Sequence, residues 1–354
     1  MTNQTTAPAP DSPEAPPEAQ LMQLTMGGFV SQAVYVAAKL GIADLVAGGP
    51  KTTAELASAT GTDERSLYRL LRSLASVGVF TETADHTFAN TPMSDALGTD
   101  SPKSLRAMVL FIGDEAHGRV ISDMLYSVKT GKPAWDNVHG EPIFPYLFET
   151  NKPLGDTFNQ AMTSFSHSTI PAILAAYDFS GCGTLADIAG GYGHVLAAVL
   201  REYPSMNGVL FEIAPVLAGA PAMMESYGVS ERVELVEGDF CSEIPVRADV
   251  YMMQHIIHDW YDDKCEIILG NIGRAMPDDG RVLIIDAVVP EGNQPHSAKV
   301  LDLEMLISPG GVDRTAAEFG TLLENSGFRM TRIIPTDRVG FTRGHRRQEP
   351  HRAE

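Results

Sequence analysis

Beyond residue 184 the chain alternates short β-rich runs with helical stretches, and no other feature limits the available folds so tightly. The runs lie at 184–189, 209–213, 232–236, 249–253 and 282–285, with a helical segment between each pair. Parallel strands need a long crossover between them, and a helix supplies it. The pattern therefore predicts an α/β fold, a Rossmann-like sheet covered by helices on both faces over residues 180–343.

A chain of 354 residues exceeds the usual single-domain size, so a second core is expected before that sheet. Residues 1–19 carry Pro8, Pro10, Pro13, Pro16 and Pro17 among small residues and read as a disordered leader. Over 21–40 the apolar positions return at helical spacing with little polar face, and Gly41 stands where such a helix would end. A helix like this needs cover, and a second copy of the chain is the simplest. Thr52 and Glu55 have capping-box spacing ahead of a short helix at 54–59. A second helix follows Gly61, with Leu67, Leu70, Leu71, Leu74 and Val77 on one stripe. Gly78 ends it, and 79–80 and 87–88 flank a turn like a hairpin wing, so residues 20–100 are expected to form a mostly helical, winged-helix dimerisation domain. DNA recognition is disfavoured, because Lys51, Arg65, Arg69 and Arg72 are offset by Glu55, Asp63 and Glu64 and the net charge is -19. Residues 101–179 read as a helical linker and substrate-pocket region with loops at 131–140 and 149–153, and 344–354 as a disordered tail.

Apolar residues at 44% and charged residues at 20% match an ordinary globular protein. No run approaches the roughly 20 apolar residues that span a bilayer, and no secretion signal is visible, so a cytoplasmic location is expected. Cys182, Cys241 and Cys265 lack metal-site or disulfide spacing and read as reduced core thiols.

Three successive strand ends carry candidate ligand-binding residues. The first closes on Asp187-Ile188-Ala189-Gly190-Gly191-Tyr192-Gly193 and runs into a helix, where glycines let the backbone approach a ligand. The second ends in Glu212, 22 positions beyond Gly190, where an acid can hold both ribose hydroxyls of a nucleoside. The third adds Gly238-Asp239-Phe240, an acid for an adenine amino group and an aromatic for its ring face. Each alone has a bland reading as turn or core. The series favours a nucleoside cofactor.

After the fourth strand comes His255-Ile256-Ile257-His258-Asp259-Trp260. Together with the glycine loop, Glu212 and Gly238-Asp239-Phe240, this resembles the caffeic acid type of plant O-methyltransferases and their bacterial relatives acting on polyketides, phenazines and carotenoids. The likeness spans about 21–328 and includes Leu67-Tyr68-Arg69-Leu70-Leu71-Arg72, Phe158-Asn159-Gln160-Ala161-Met162 and Gly310-Gly311-Val312-Asp313-Arg314-Thr315. It implies S-adenosylmethionine (SAM) over the glycine loop with S-adenosylhomocysteine (SAH) as product, methyl transfer to a hydroxyl of a small aromatic molecule in secondary metabolism, and a homodimer. His258 would be the general base, Asp313 would fix its tautomer, and Asp286 would border it. Gln254 and Ser166 would join Asp187, Gly190, Gly191, Gly193, Glu212, Asp239 and Phe240 at the cofactor. Phe158, Met162, Asp259 and Trp260 would contact the acceptor, while Trp135 and Phe144 read first as packing residues. The chain departs from the family pattern at Ala189, usually glycine, at Asp286 and Asp313, usually glutamate, and at Gln254, usually basic. It also departs at 338–354, polar and basic where the family ends in an apolar strand.

No metal is expected, although His255, His258 and Asp259 within five positions leave a metal-dependent enzyme as a rival. Carbon or nitrogen methylation, a DNA-binding sensor, and a relative that keeps SAM for other chemistry are the remaining alternatives.

Overall fold

The computed structural model describes residues 15–335 and 340–346. The chain divides into two compact units, 1–113 and 114–354, so the stretch at 114–179 belongs with the sheet rather than before a boundary near 180.

The first unit opens with α1 (Pro17–Lys39) and α2 (Ile42–Leu45). The part of the expected leader at 17–19 is therefore helical: Pro17 occupies the first helical position, where its missing N–H costs nothing. The rest of the leader, 1–14, lies outside the described residues. Helix α1 has 23 residues, and an 18-residue window within it has a mean hydropathy of 1.2, long and apolar enough to cross a membrane by length and composition, which corrects the expectation that no segment reaches that size. Leu21, Leu24 and Phe29 are 66%, 78% and 72% exposed within the chain. Next come β1 (Lys51–Thr52), α3 (Thr53–Thr60) and α4 (Glu64–Ser76). The capping box forms as expected, with the Glu55 N–H donated to Thr52 Oγ1 at 3.2 Å and the Thr52 N–H to Glu55 Oε2 at 2.8 Å. Leu67, Leu71 and Leu74 are buried, but Val77 caps the C-terminus of α4 and is exposed. Strands β2 (Phe80–Ala84) and β3 (Thr87–Asn90) form the wing with β1 in the order β1-β3-β2, followed by α5 (Pro92–Asp95) and α6 (Arg106–Ile112).

The second unit begins with α7 (Glu115–Ser122), α8 (Met124–Thr130), α9 (Ala134–His139), α10 (Ile143–Pro145), a π-helical turn at Tyr146–Thr150 and α11 (Lys152–Ala176). Both expected loops here are largely helical. Gly131 and Gly140 sit at φ +67° and +79° as helix-ending residues, so they bracket α9 rather than mark a loop between them.

The sheet then follows through β4 (Thr184–Ile188), α12 (His194–Glu202), β5 (Asn207–Glu212), α13 (Ala214–Leu217), α14 (Ala220–Tyr227), β6 (Val233–Glu237) and β7 (Val250–Gln254). It is completed by α15 (Asp262–Ala275), β8 (Arg281–Asp286), α16 (Ala298–Ile307), α17 (Ala316–Asn325), β9 (Phe328–Pro335) and β10 (Gly340–Arg346). Strand order is β6-β5-β4-β7-β8-β10-β9, parallel from β6 to β8, with β10 antiparallel to both β8 and β9. Two apolar clusters cover its faces, one through Leu185, Leu210, Met252 and Leu283 and the other through Ala186, Phe211, Tyr251 and Ile284. Alternate residues of each strand feed opposite clusters, as a sheet buried on both sides requires. The polar C-terminal segment is strand as far as Arg346, against the expected tail from 344. Pairing along β10 is a backbone matter, satisfied by β8 on one side and β9 on the other, and it needs no apolar side chains. Residues 347–354 lie outside the described set.

Candidate active site

The carboxyl ends of β4, β5 and β7, adjacent in the sheet, gather most of the candidate residues. At the end of β4 the chain passes through Ala189 at φ +56° and Gly191 at φ +62° before Gly193 starts α12 at φ +81°. A left-handed alanine is strained where glycine is not, so Ala189 carries a cost of about 1–2 kcal/mol that the family's glycine avoids. A Cβ on Gly190 would run into the Asp187 carboxyl, whereas one on Gly191 would meet nothing within 4 Å. The loop is thus packed tightly beneath and open above. Glu212 Oε2 accepts the Gly191 N–H at 3.0 Å, and Oε1 accepts the Ile213 N–H at 2.8 Å. Burial pushes the Asp187 carboxyl up to about 7, with the charge of Glu212 adding to it, and burial likewise lifts Glu212 to about 7. Asp187 Oδ1 has no hydrogen-bond partner although it is buried. An open glycine cradle, a buried acid with an unpartnered oxygen and a second acid at the next strand end fit a hydroxyl-rich nucleoside cofactor.

Asp239 behaves partly as the turn acid of its bland reading. Its Oδ1 accepts the Cys241 N–H at 2.8 Å and its Oδ2 the Ser242 hydroxyl at 2.9 Å, and it remains exposed. Phe240 is half-buried, its ring 6.1 Å from that of Trp260 in an edge-on arrangement. Gln254 Nε2 donates to Thr169 Oγ1 at 2.9 Å, and that hydroxyl donates to the Ser166 carbonyl at 3.0 Å, so the β7 end is tied to α11.

His258 lies in a 3-10 turn at Ile257–Asp259 after β7, buried, with Nδ1 3.0 Å from Asp313 Oδ1 and Nε2 3.6 Å from Asp259 Oδ1. Asp286 does not touch His258 directly: its Oδ1 is 3.7 Å from Nδ1 of His255, which itself sits at φ +55°. The two imidazoles respond oppositely. Burial alone would lower His258, but Asp286, the hydrogen bond to Asp313, and Asp259 outweigh it and raise the ring to about 9. Burial lowers His255 to about 3, and the charge of His258 adds to the effect. Burial raises Asp259 to about 7 and Asp286 to about 6, each opposed by His258. Donor atoms of His255, His258 and Asp286 lie within 4.8 Å of one another, a grouping able to hold a metal ion.

What aligns His258 with Asp313 is a clamp of Gly311, Val312 and Arg314 from the motif 310–315 with Asp262 and Asp302 from outside it, residues to which the sequence alone assigns no role. A Cβ on Gly311 would overlap the His258 carbonyl, which accepts the Val312 N–H at 2.8 Å. The buried Arg314 guanidinium donates to the carbonyls of Ile257 at 3.1 Å and Trp260 at 2.9 Å and pairs with Asp262 at 2.6 Å. Asp302 on α16 accepts the Asp313 N–H at 2.9 Å. Aromatic rings line the flank. Phe158 meets Phe144 and Phe148 edge-on at 6.4 and 6.3 Å, and Phe144 lies 5.9 Å from Trp260, so Phe144 belongs with this group. Met162 and Ser166 are half-buried and follow Phe158 at one-turn intervals on α11. Trp135 is fully buried and packs edge-on to Tyr146 at 5.5 Å.

The O-methyltransferase domain family matches residues 122–329, and the O-methyltransferase dimerisation domain family matches 22–100. The chain belongs to the O-methyltransferase family. Among its relatives are phenazine O-methyltransferase PhzM of Lysobacter antibioticus, 43% identical over 89% of this chain and 92% of that one, and the mitomycin biosynthesis 6-O-methyltransferase of Streptomyces lavendulae, 38% identical over 90% and 91%. N-methylating relatives exist too, such as the 8-amino-8-demethylriboflavin N,N-dimethyltransferase of Streptomyces davaonensis, 37% identical over 93% and 95%. The SAH-bound crystal structure of CalO1, a methyltransferase in calicheamicin biosynthesis, superposes with a TM-score of 0.82 at 37% identity, covering 93% of this chain and 98% of that one. This O-methyltransferase is therefore a SAM-dependent enzyme of small natural products, with a Rossmann-like catalytic sheet and an N-terminal helical dimerisation domain.

Proposed function

We propose that this O-methyltransferase methylates a hydroxyl of a small aromatic natural product, with His258 as the general base. One observation carries the reading: Asp313 holds Nδ1 of the buried imidazole at 3.0 Å, which orients the ring and would leave Nε2 to take the acceptor's proton. Bound SAM supplies a methyl on a sulfonium that needs no Lewis acid. The chain's own work is to align the acceptor oxygen and take its proton. A phenol near pKa 10 and an imidazole near 9 are closely matched for that transfer. Glu212 would hold the ribose hydroxyls, Asp239 and Phe240 the adenine, and Asp187, Gly190, Gly191, Gly193, Gln254 and Ser166 the remainder of the cofactor. Phe158, Met162, Asp259 and Trp260 would border the acceptor, with Asp286 tuning the base. The rings of Phe144, Phe148, Phe158 and Trp260 suit a flat acceptor.

The test is labelled-SAM turnover over phenazine, anthracycline, flavonoid and simple phenol panels, followed by His258→Ala with the best acceptor. Label should appear on a hydroxyl oxygen; label only on nitrogen or carbon overturns the assignment. A metal-assisted reading has the His255, His258 and Asp286 grouping in its favour, and loss of activity in chelator with recovery on adding a divalent ion would establish it. The exposed apolar face of α1 further supports a homodimer, to be checked by sedimentation at micromolar protein, where a monomer refutes it.

A further inference from the structure

A further acid–imidazole pair, with a buried imidazole, lies outside the machinery described above. His117 on α7 is fully buried, with Nε2 3.0 Å from Oε2 of Glu304 on α16, while the Glu304 side chain keeps 21% of its surface open. A carboxylate that shares one oxygen with a sealed imidazole and stays partly open is placed to accept a hydrogen bond from something outside the protein core.

Two sets of contacts connect this pair to the acceptor side. Helix α16 also carries Asp302, which accepts the Asp313 N–H, and the Met305 carbonyl, which accepts the N–H groups of Gly310 at 2.9 Å and Gly311 at 3.0 Å. Glu304 is therefore on the helix that positions the partner of His258. The other connection runs through rings. His117 meets Trp135 edge-on at 5.8 Å, and Trp135 meets Tyr146 at 5.5 Å. Tyr146 begins the π-helical turn that carries Phe148, which meets Phe158 at 6.3 Å. The negative charge of Glu304 also reaches Asp259, beside His258. Ring contacts thus link His117 to Tyr146 through the buried Trp135, and the turn that follows joins them to the rings of Phe148, Phe158, Phe144 and Trp260 beside His258.

We propose that Glu304, held by His117, is a specificity-determining residue that selects aromatic acceptors bearing a hydrogen-bond donor, an amine or second hydroxyl, on the ring remote from the methylated hydroxyl. The proposal rests on the aromatic-acceptor reading above. A site built to hydrogen-bond a donor group favours that group over an analogue that lacks it, because the half-enclosed carboxylate gains a charge-assisted hydrogen bond only with the donor. His117 acts as a positioning residue: its removal should loosen the carboxylate without touching the acceptor.

The experiment uses 1-naphthol, 5-amino-1-naphthol and 1,5-dihydroxynaphthalene, with binding measured by calorimetry on the SAH-loaded full-length enzyme and turnover with labelled SAM. Wild type should prefer the two donor-bearing compounds by about 10-fold or more in Kd and KM, with kcat little changed. Glu304→Met should abolish that preference while SAM affinity is retained. His117→Leu should reduce it, and Glu304→Gln, which keeps a carbonyl acceptor, should restore part of it. An equal preference in wild type and Glu304→Met, both folded and binding SAM, overturns the proposal. So does a wild type that binds all three compounds equally. If wild type binds SAM but neither binds nor methylates any naphthol, the aromatic-acceptor reading falls and takes this assignment with it.

Discussion

The glycine loop after β4 and the histidine cluster after β7 occupy neighbouring strand ends of one sheet, but they are made of different material. At the loop, backbone does the work: the Gly191 and Ile213 N–H groups are donated to Glu212, and the absence of a Cβ on Gly190 lets the chain close over Asp187. At the histidine cluster, side chains from separate segments converge, with Asp259, Asp286 and Asp313 around two imidazoles. Burial dominates the first region and raises both its acids. Charge outweighs burial at His258 in the second, and raises the imidazole. Sites made of backbone therefore tolerate change in distant segments, whereas a site made of converging side chains depends on the clamp that assembles it.

The sharpest break of this contrast is His258→Ala. Turnover should fall by about 100-fold to 10,000-fold, with folding and SAM affinity nearly intact. Wild-type activity should rise with pH toward about 9, because the imidazole is protonated below that value and cannot accept a proton. In the variant the residual rate should keep climbing as the phenol ionises unaided. His255→Ala is the internal control. If it abolishes turnover while a folded His258→Ala keeps wild-type turnover, the base has been assigned to the wrong imidazole.

Glu212→Ala carries the next largest effect, on the other region. SAM affinity measured by calorimetry should drop about 10-fold to 100-fold, the loss of a charge-assisted contact, and unchanged affinity would remove Glu212 from the cofactor site. Asp313→Asn then tests convergence. It should lower the plateau rate about 10-fold through loss of ring orientation. It should also move the acidic limb of the pH profile downward, since Asp313 is among the groups holding His258 up. A profile that stays in place would mean that Asp313 does not act on the base.

Stability against pH separates the regions more finely. Asp187 and Glu212 have folded values near 7, above their ordinary 3.8 and 4.5. Their contribution is present in full below about pH 4 and is lost as pH climbs through about 7. The SAM-free protein should therefore lose melting temperature over that window, and Glu212→Gln should flatten the slope; a slope identical to wild type would count against the buried acid pair. Smallest of all, Ala189→Gly should raise stability by about 1 kcal/mol in denaturant unfolding, since the left-handed backbone is relieved at little other cost. A drop in stability would show that the alanine side chain packs productively.

The strand-end series was legible without coordinates because it is local. Periodicity marks a strand, glycines mark the turn after it, and Glu212 follows at a spacing that one strand–helix–strand unit dictates. The dimerisation domain was equally readable from Thr52, Glu55 and the leucine stripe, although Val77, the last of that stripe, lies exposed. The helix at 134–139 carries no clear mark in the sequence, because Gly131 and Gly140 end helices yet suggest a loop between them. The strand at β10 was missed because a strand with partners on both sides is held through its backbone and needs no apolar signature.

The sequence by itself determined the five parallel strands, their succession along the chain and the residue types offered at their ends, because each of these follows from spacing within a few dozen residues. Only the tertiary structure decided that Asp286 faces His255, that Arg314 and Gly311 seat His258 against Asp313 across 55 positions of chain, and that His117 meets Glu304 across 187. Those contacts depend on how separate segments cross in space, and the strength of each charge on its neighbour depends on a burial that no local pattern encodes.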